Sequence, residues 1–131
     1  MREKTYRILV VDDEESVRRN LQVYLEDEGF EVFTVDSGEE GLEALVRDPA
    51  DAAIVDIRLH GMDGNRFIES AHSLYPGMKF IIYTGSVSYR LPERLQSMGI
   101  EESQIFRKPL SDMSILADAL KNLIRKGKDN D

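Results

Sequence analysis

Short apolar runs alternate with stretches whose apolar residues recur every three or four positions, and the alternation repeats along the whole of the 131 residues. The runs at 8–11, 31–35, 52–55, 79–83 and 105–106 suit strands, and the continuous ones suit strands covered on both faces of a parallel sheet. After the first run, Val17, Leu21, Tyr24 and Leu25 follow helical spacing, and Gly29 stands where a helix ends in left-handed backbone. Ser37 and Glu40 have the spacing of a capping box ahead of Leu42, Leu45 and Val46, and Pro49 closes that second helix. Asp63 is placed to cap a third helix with Phe67, Ile68, Ala71 and Leu74 on one face, ended by Pro76 and Gly77. The stretch GSVSYRLPERLQSMG is poorly periodic, so a fourth helix is expected to be short or displaced, starting near Pro92. Ser111 is placed to cap a fifth, carrying Ile115, Leu116, Ala119, Leu120, Leu123 and Ile124, and the charged RKGKDND beyond it is expected to fray.

Five strands alternating with five helices predict an α/β fold, a doubly wound parallel sheet with helices on both faces. Right-handed crossovers bring the carboxyl ends of such strands to one edge, where open sheets of this class bind ligands. Four of the runs, ILVVDD, AAIVD, FIIYT and IFRKP, deliver Asp12, Asp13, Asp56, Thr84 and Lys108 to that edge. Three carboxylates so placed repel one another unless a cation holds them. Mg²⁺ suits them, with oxygen ligands that include a backbone carbonyl for which Arg58 is placed. The Thr84 hydroxyl and the Lys108 ammonium suit phosphoryl oxygens, and the small Gly85 and Ser86 leave that group room. The Lys108-Pro109 bond is a candidate for the cis form. Each residue also has a plainer reading: Asp12, Asp13 and Glu14 suit the start of the first helix, and Asp56, Thr84 and Lys108 suit ordinary strand ends.

Composition narrows the classes of function. One domain accounts for the length, here taken as residues 1–125, with 126–131 a charged tail or the start of a linker. A net charge of −8 opposes direct binding to nucleic acid or to an anionic membrane surface. The sequence has no cysteine, which excludes disulfides and thiolate sites, and its opening MREKTYR lacks the apolar core of a secretory leader. A cytoplasmic protein is expected. His60 and His72 have no partner at ligand spacing and read as structural or surface residues.

The succession VVDD, IVD, TG and KP resembles the receiver domain of bacterial two-component response regulators over nearly the whole chain. The resemblance implies a flavodoxin-like sheet of order 2-1-3-4-5. It implies Asp56 as phosphoacceptor and Asp12 and Asp13 as the acidic pair that holds Mg²⁺. Thr84 then matches the switch hydroxyl and Lys108 the phosphate-contacting lysine. A sensor histidine kinase or phosphotransfer protein would be the donor in a phosphorelay, and an effector of unknown kind would respond. No enzymatic turnover is implied beyond self-phosphorylation and autodephosphorylation, and a homodimer is compatible with the pattern. The chain departs from the family at His60, which replaces a usual proline, and at Ile105, which replaces the usual inward-turning aromatic. Tyr83 and Tyr89 are candidate substitutes. The segment between Thr84 and Lys108 is also longer than usual and interrupted by Pro92. Two other readings of the same residues are an Mg²⁺-dependent phosphatase with an aspartyl intermediate and a receiver-like adaptor that is not phosphorylated. Against the first, Asp13 is followed by Glu14 and Glu15 rather than by a D-x-D pattern.

Overall fold

The computed structural model describes residues 4–129. Its elements follow the order β1 (Arg7–Val11), α1 (Glu15–Asp27), β2 (Glu31–Val35), α2 (Gly38–Arg47), β3 (Ala52–Val55), α3 (Gly64–Leu74), β4 (Lys79–Thr84), α4 (Glu93–Ser97), β5 (Ile105–Arg107) and α5 (Ser114–Asp129). All strand pairs are parallel, and the sheet order is β2-β1-β3-β4-β5. The expected architecture and strand order are therefore those observed.

Strand alternation divides the core in two. Ile8, Val10, Ala52, Ile54, Ile81 and Tyr83 face Leu21 and Leu25 of α1 and Leu116, Leu120 and Ile124 of α5. On the other face, Leu9, Val11, Ala53, Val55, Phe80 and Ile82 pack on Leu45 of α2, Phe67 and Ile68 of α3 and Leu95 of α4. Each fully buried aliphatic side chain of this kind contributes about 1.5–3 kcal/mol relative to exposure, so the β1 and β3 runs are the main anchors of the fold. Phe106 packs with the first group and Ile105 with the second, as alternation requires.

Several local expectations need correction. Ser111 does not cap α5; the Asp112 carboxylate accepts the Ser114 N–H at 3.0 Å instead, since α5 begins later than its apolar spacing suggests. Val46, Leu74 and Ile115 are exposed rather than packed. All three lie in the first or last turn of their helices, where an apolar stripe runs past the sheet it covers. Ser37 accepts the Glu40 N–H, one half of the expected box. A complete capping box forms at Glu101 and Gln104 around a 3-10 turn, Glu102–Gln104, that no periodic signal announced. The helix α5 continues to Asp129 where charge suggested fraying, and residues 130–131 lie outside the described part.

Candidate functional site

The strand-end residues are aimed by the hydrogen-bond ladder itself. Asp12 N donates to Val35 O at 3.2 Å, Asp56 N to Val11 O at 2.9 Å and Lys108 N to Thr84 O at 2.9 Å. Each bond extends strand pairing by one residue, so the functional side chains leave the sheet from backbone already tied to a neighbour. Gly64 completes the frame. A Cβ there would lie 2.2 Å from Asp56 O, so α3 starts this close to the Asp56 carbonyl only because its first residue has no side chain. Gly61 turns the preceding loop at φ +74, and Glu39 receives the Met62 N–H at 3.1 Å. The loop after β3 is thus ordered.

Lys108 gathers the acids. Its Nζ lies 2.8 Å from Asp12 Oδ2, 3.3 Å from Asp56 Oδ2 and 3.4 Å from Glu14 Oε1. The Asp12 and Asp56 side chains are almost wholly buried. Burial pushes the Asp12 carboxyl above its ordinary value, against the hydrogen bonds that it receives from Lys108 and from the Glu14 N–H. Burial alone would lower Lys108, yet its hydrogen bond to Asp12 and the charges of Asp12 and Asp56 carry it above the usual lysine value. The ammonium therefore stays charged, and its bonds tie together the two central-strand carboxylates. The Lys108-Pro109 bond is cis, as the sequence suggested.

Asp12, Asp13, Glu14 and Asp56 each offer a carboxylate oxygen, and these four atoms all lie within 4.8 Å of one another. Glu14 is a member that sequence reasoning passed over; the run DDEE contained the signal. The plainer capping reading fails for Glu14, which occupies the N-cap position of α1 without a side-chain cap bond. Asp12 does accept the Glu14 N–H at 2.9 Å, while its second oxygen faces Lys108. Arg58 N donates weakly to Asp56 Oδ1 at 3.4 Å, which keeps the Arg58 backbone beside the acids. His60 lies on the surface, as expected, and has one contact among the described residues. Its Nε2 stands 3.5 Å from Asp13 Oδ2, a partner distant in sequence that local spacing could not reveal.

Thr84 is fully buried, and its Oγ1 accepts the Ser86 N–H at 3.2 Å, leaving the hydroxyl proton available for donation. Gly85 is exposed, with nothing within 4 Å of a Cβ built on it, so the space beside Thr84 is open. The following loop is fastened by side chains that the sequence did not single out. Arg107, the register partner of Thr84 on β5, donates to Ser86 O at 2.7 Å and to Tyr89 O at 3.1 Å. Tyr89 donates from its phenol to Asn65 Oδ1 at 2.7 Å, and burial pushes that phenol up to about 12. Tyr83, the other candidate substitute for the missing aromatic, is buried; its hydroxyl accepts the Leu110 N–H at 3.3 Å, and its ring lies 5.7 Å from Lys108 Nζ.

With this geometry in hand, known proteins provide the comparison. The profile of the response regulator receiver domain matches residues 8–121. The chain belongs to the response regulator receiver domain family. It is 38% identical over 84 residues to the transcriptional regulatory protein GlrR of Escherichia coli, which covers 64% of this chain and 19% of GlrR. It is 29% identical over 125 residues to the response regulator MprA of Mycobacterium leprae, covering 95% of this chain and 54% of MprA. The crystal structure of a CheY-like receiver domain protein from Methanospirillum hungatei superposes with a TM-score of 0.85 at 30% identity, covering 98% of this chain and 100% of that one. The chain spans about half or less of the length of the two regulators named, and the receiver domain is a signalling unit rather than a general catalyst. The expectation that the protein does not bind nucleic acid gains no support, because GlrR is a transcriptional regulator of which this chain matches a fifth. No helix among the described residues is long and apolar enough to cross a membrane.

Proposed function

We propose that Asp56 of this receiver accepts a phosphoryl group from a histidine kinase or phosphotransfer protein in an Mg²⁺-dependent phosphorelay. The carrying observation is that Lys108 Nζ joins the nearly buried carboxylates of Asp12 and Asp56 at the ends of the two central strands, beside an acidic cluster. Asp13 and Asp56, supported by Asp12, would hold the metal, with the Arg58 carbonyl available as a further oxygen ligand. An all-oxygen donor set of this charge fits a hard divalent cation. When bound, Mg²⁺ supplies positive charge that offsets the phosphoryl oxygens. An Asp56 carboxylate oxygen attacks the phosphorus of the donor's phosphoimidazole in line. The P–O bond forms as the P–N bond breaks, and the electron pair returns to the imidazole nitrogen.

Lys108 then transfers its contact from the Asp56 carboxylate to a phosphoryl oxygen, which weakens that tie between the two carboxylates. Thr84 donates its hydroxyl proton to another oxygen, and the space at Gly85 admits the group. The β4–α4 loop is bonded to Thr84 through the Ser86 N–H, so a movement of the hydroxyl is felt there and alters a binding surface for an effector. Ile105, with no hydroxyl or ring to turn inward, leaves that response to other residues. The signalling unit is taken as residues 1–125, with 126–131 a charged tail or the start of a linker, and a cytoplasmic setting fits a phosphohistidine donor.

Incubation with Mg²⁺ and acetyl phosphate tests the reading by intact mass. One hydroxylamine-labile phosphoryl adduct is expected, absent without Mg²⁺ and absent in Asp56→Asn. No adduct in the folded wild type overturns the reading in favour of an unphosphorylated adaptor, and continuous phosphate release from many esters favours a phosphatase.

A further inference from the structure

Ile105 has no ring to turn inward, so in a phosphorelay at Asp56 the response leaves the site through other side chains. Ser86, buried at the start of the loop after β4, is held from three sides. Its N–H donates to Thr84 Oγ1 at 3.2 Å, its hydroxyl accepts from Arg58, two residues past Asp56, at 3.4 Å, and its carbonyl accepts from Arg107 at 2.7 Å. Thr84 and Arg58 border the acidic pocket. Arg107 instead is exposed on the edge strand β5, where no packing of the core requires an arginine. Both of its side-chain hydrogen bonds go to this loop, Nη1 to Ser86 O and Nη2 to Tyr89 O at 3.1 Å. A planar guanidinium grips two carbonyls three residues apart only while the backbone between them keeps one shape. The backbone bond across the same residues, from Tyr89 N to Ser86 O, is long at 3.5 Å, so that shape depends on the guanidinium. Strand register sets Arg107 beside Thr84, and the next residue, Lys108, reaches the acids.

We propose that Arg107 is a latch: its fork holds residues 86–89 in the shape that belongs to the unphosphorylated site, and phosphorylation of Asp56 acts against it through Thr84 and Ser86. The inference rests on Asp56 being the phosphoacceptor. When Thr84 turns its hydroxyl toward a phosphoryl oxygen, the Ser86 N–H loses its acceptor while Arg107 still grips the Ser86 carbonyl, so the loop moves as far as the fork releases it. A group that stabilises one of two states is coupled reciprocally to whatever stabilises the other. Weakening the latch therefore strengthens the hold of the site on a phosphoryl group. A merely structural residue gives the opposite sign, because loosening the surroundings of a site costs it preorganisation.

The full chain is titrated with beryllium fluoride, a stable stand-in for a phosphoryl group on a carboxylate, in millimolar Mg²⁺, and amide exchange is followed with and without it. Arg107→Ala is expected to bind at least about fivefold tighter than the wild type. Arg107→Lys keeps the charge but grips one carbonyl at a time, and is expected to fall between the two. Loading is expected to speed exchange at residues 86–89 of the wild type at least about tenfold; in Arg107→Ala exchange there is already fast and changes by less than about twofold. Affinity in Arg107→Ala equal to or below that of the wild type, or a loop response there as large as the wild type's, overturns the latch and leaves the phosphoacceptor in place. A wild type that neither binds beryllium fluoride nor gains an adduct from acetyl phosphate overturns the phosphoacceptor reading and the latch with it.

Discussion

The acidic pocket and the segment from Gly85 to Gln104 lie side by side and are built by different means. In the pocket, backbone ladder bonds hold Asp12, Asp56 and Lys108 at the ends of adjoining strands. In the segment, irregular backbone is fastened from outside by side chains: Arg107 on the carbonyls of Ser86 and Tyr89, Tyr89 on Asn65, and Gln104 Nε2 on Phe80 O at 2.8 Å. Ladder bonds are replicated along each strand, so losing one side chain leaves the pocket's framework standing. The segment depends on single bonds, each worth about 1 kcal/mol. A site that holds several charges in fixed geometry is served by the first kind of construction, and the second kind opens at lower cost.

The contrast can be broken first at Gly64. Gly64→Ala places a methyl group 2.2 Å from Asp56 O, against backbone that cannot yield, and is expected to cost about 3 kcal/mol in denaturant unfolding and to slow adduct formation at Asp56. An effect below about 0.5 kcal/mol would mean that the pocket frame is softer than the ladder suggests.

Lys108→Met probes the charge balance within that frame. Without the ammonium, the nearly buried Asp12 and Asp56 face each other uncompensated, and a loss of about 2 kcal/mol is expected in metal-free buffer, less than for a fully buried pair because the lysine itself is partly exposed. Millimolar Mg²⁺ is expected to restore much of that loss, since an ion taken up by the assembled acids would stabilise only the folded chain. A loss that Mg²⁺ leaves unchanged would separate the lysine from the metal site.

The smallest expected effect falls on the segment. Tyr89→Phe removes one hydrogen bond and is expected to cost about 1 kcal/mol, with faster amide exchange confined to the stretch after Thr84. The Tyr89 phenol is raised in the folded protein to about 12, so folding favours its neutral form. Its contribution is complete below the ordinary tyrosine value near 10 and is lost as pH rises toward 12. Spectrophotometric titration should show an ionisation near 12 in the wild type that is lost in Tyr89→Phe. Exchange accelerated throughout the domain would show that the segment is not the separate, weaker unit described here.

The same contrast marks how far the sequence could be read. Ile8 to Val11 and Ala52 to Val55 are legible as buried strands because burial on both faces demands unbroken apolar runs. The acids after them are legible because a strand's end is marked by the first residue it cannot bury. The short α4 was visible through Pro92 and a failing period. The 3-10 turn, the Asp112 contact at the start of α5 and the exposure of Val46 and Leu74 were not visible, since each depends on where a helix stops relative to the sheet. Glu14, Arg107 and His60 escaped for a related reason: their partners are Lys108, the β4–α4 loop and Asp13, and no local period joins residues so far apart.

By itself the sequence determined the class of fold, the succession of strands and helices, and the chemistry available at the sheet's edge, because periodicity and residue type are local properties. The tertiary structure decided the contacts among those residues. Whether Lys108 meets Asp12 and Asp56, whether His60 meets Asp13, and whether Arg107 and Tyr89 fasten the loop beside Thr84 all follow from strand register and loop direction. Those are set by the packing of the whole sheet against its helices, and no stretch of chain carries that information alone.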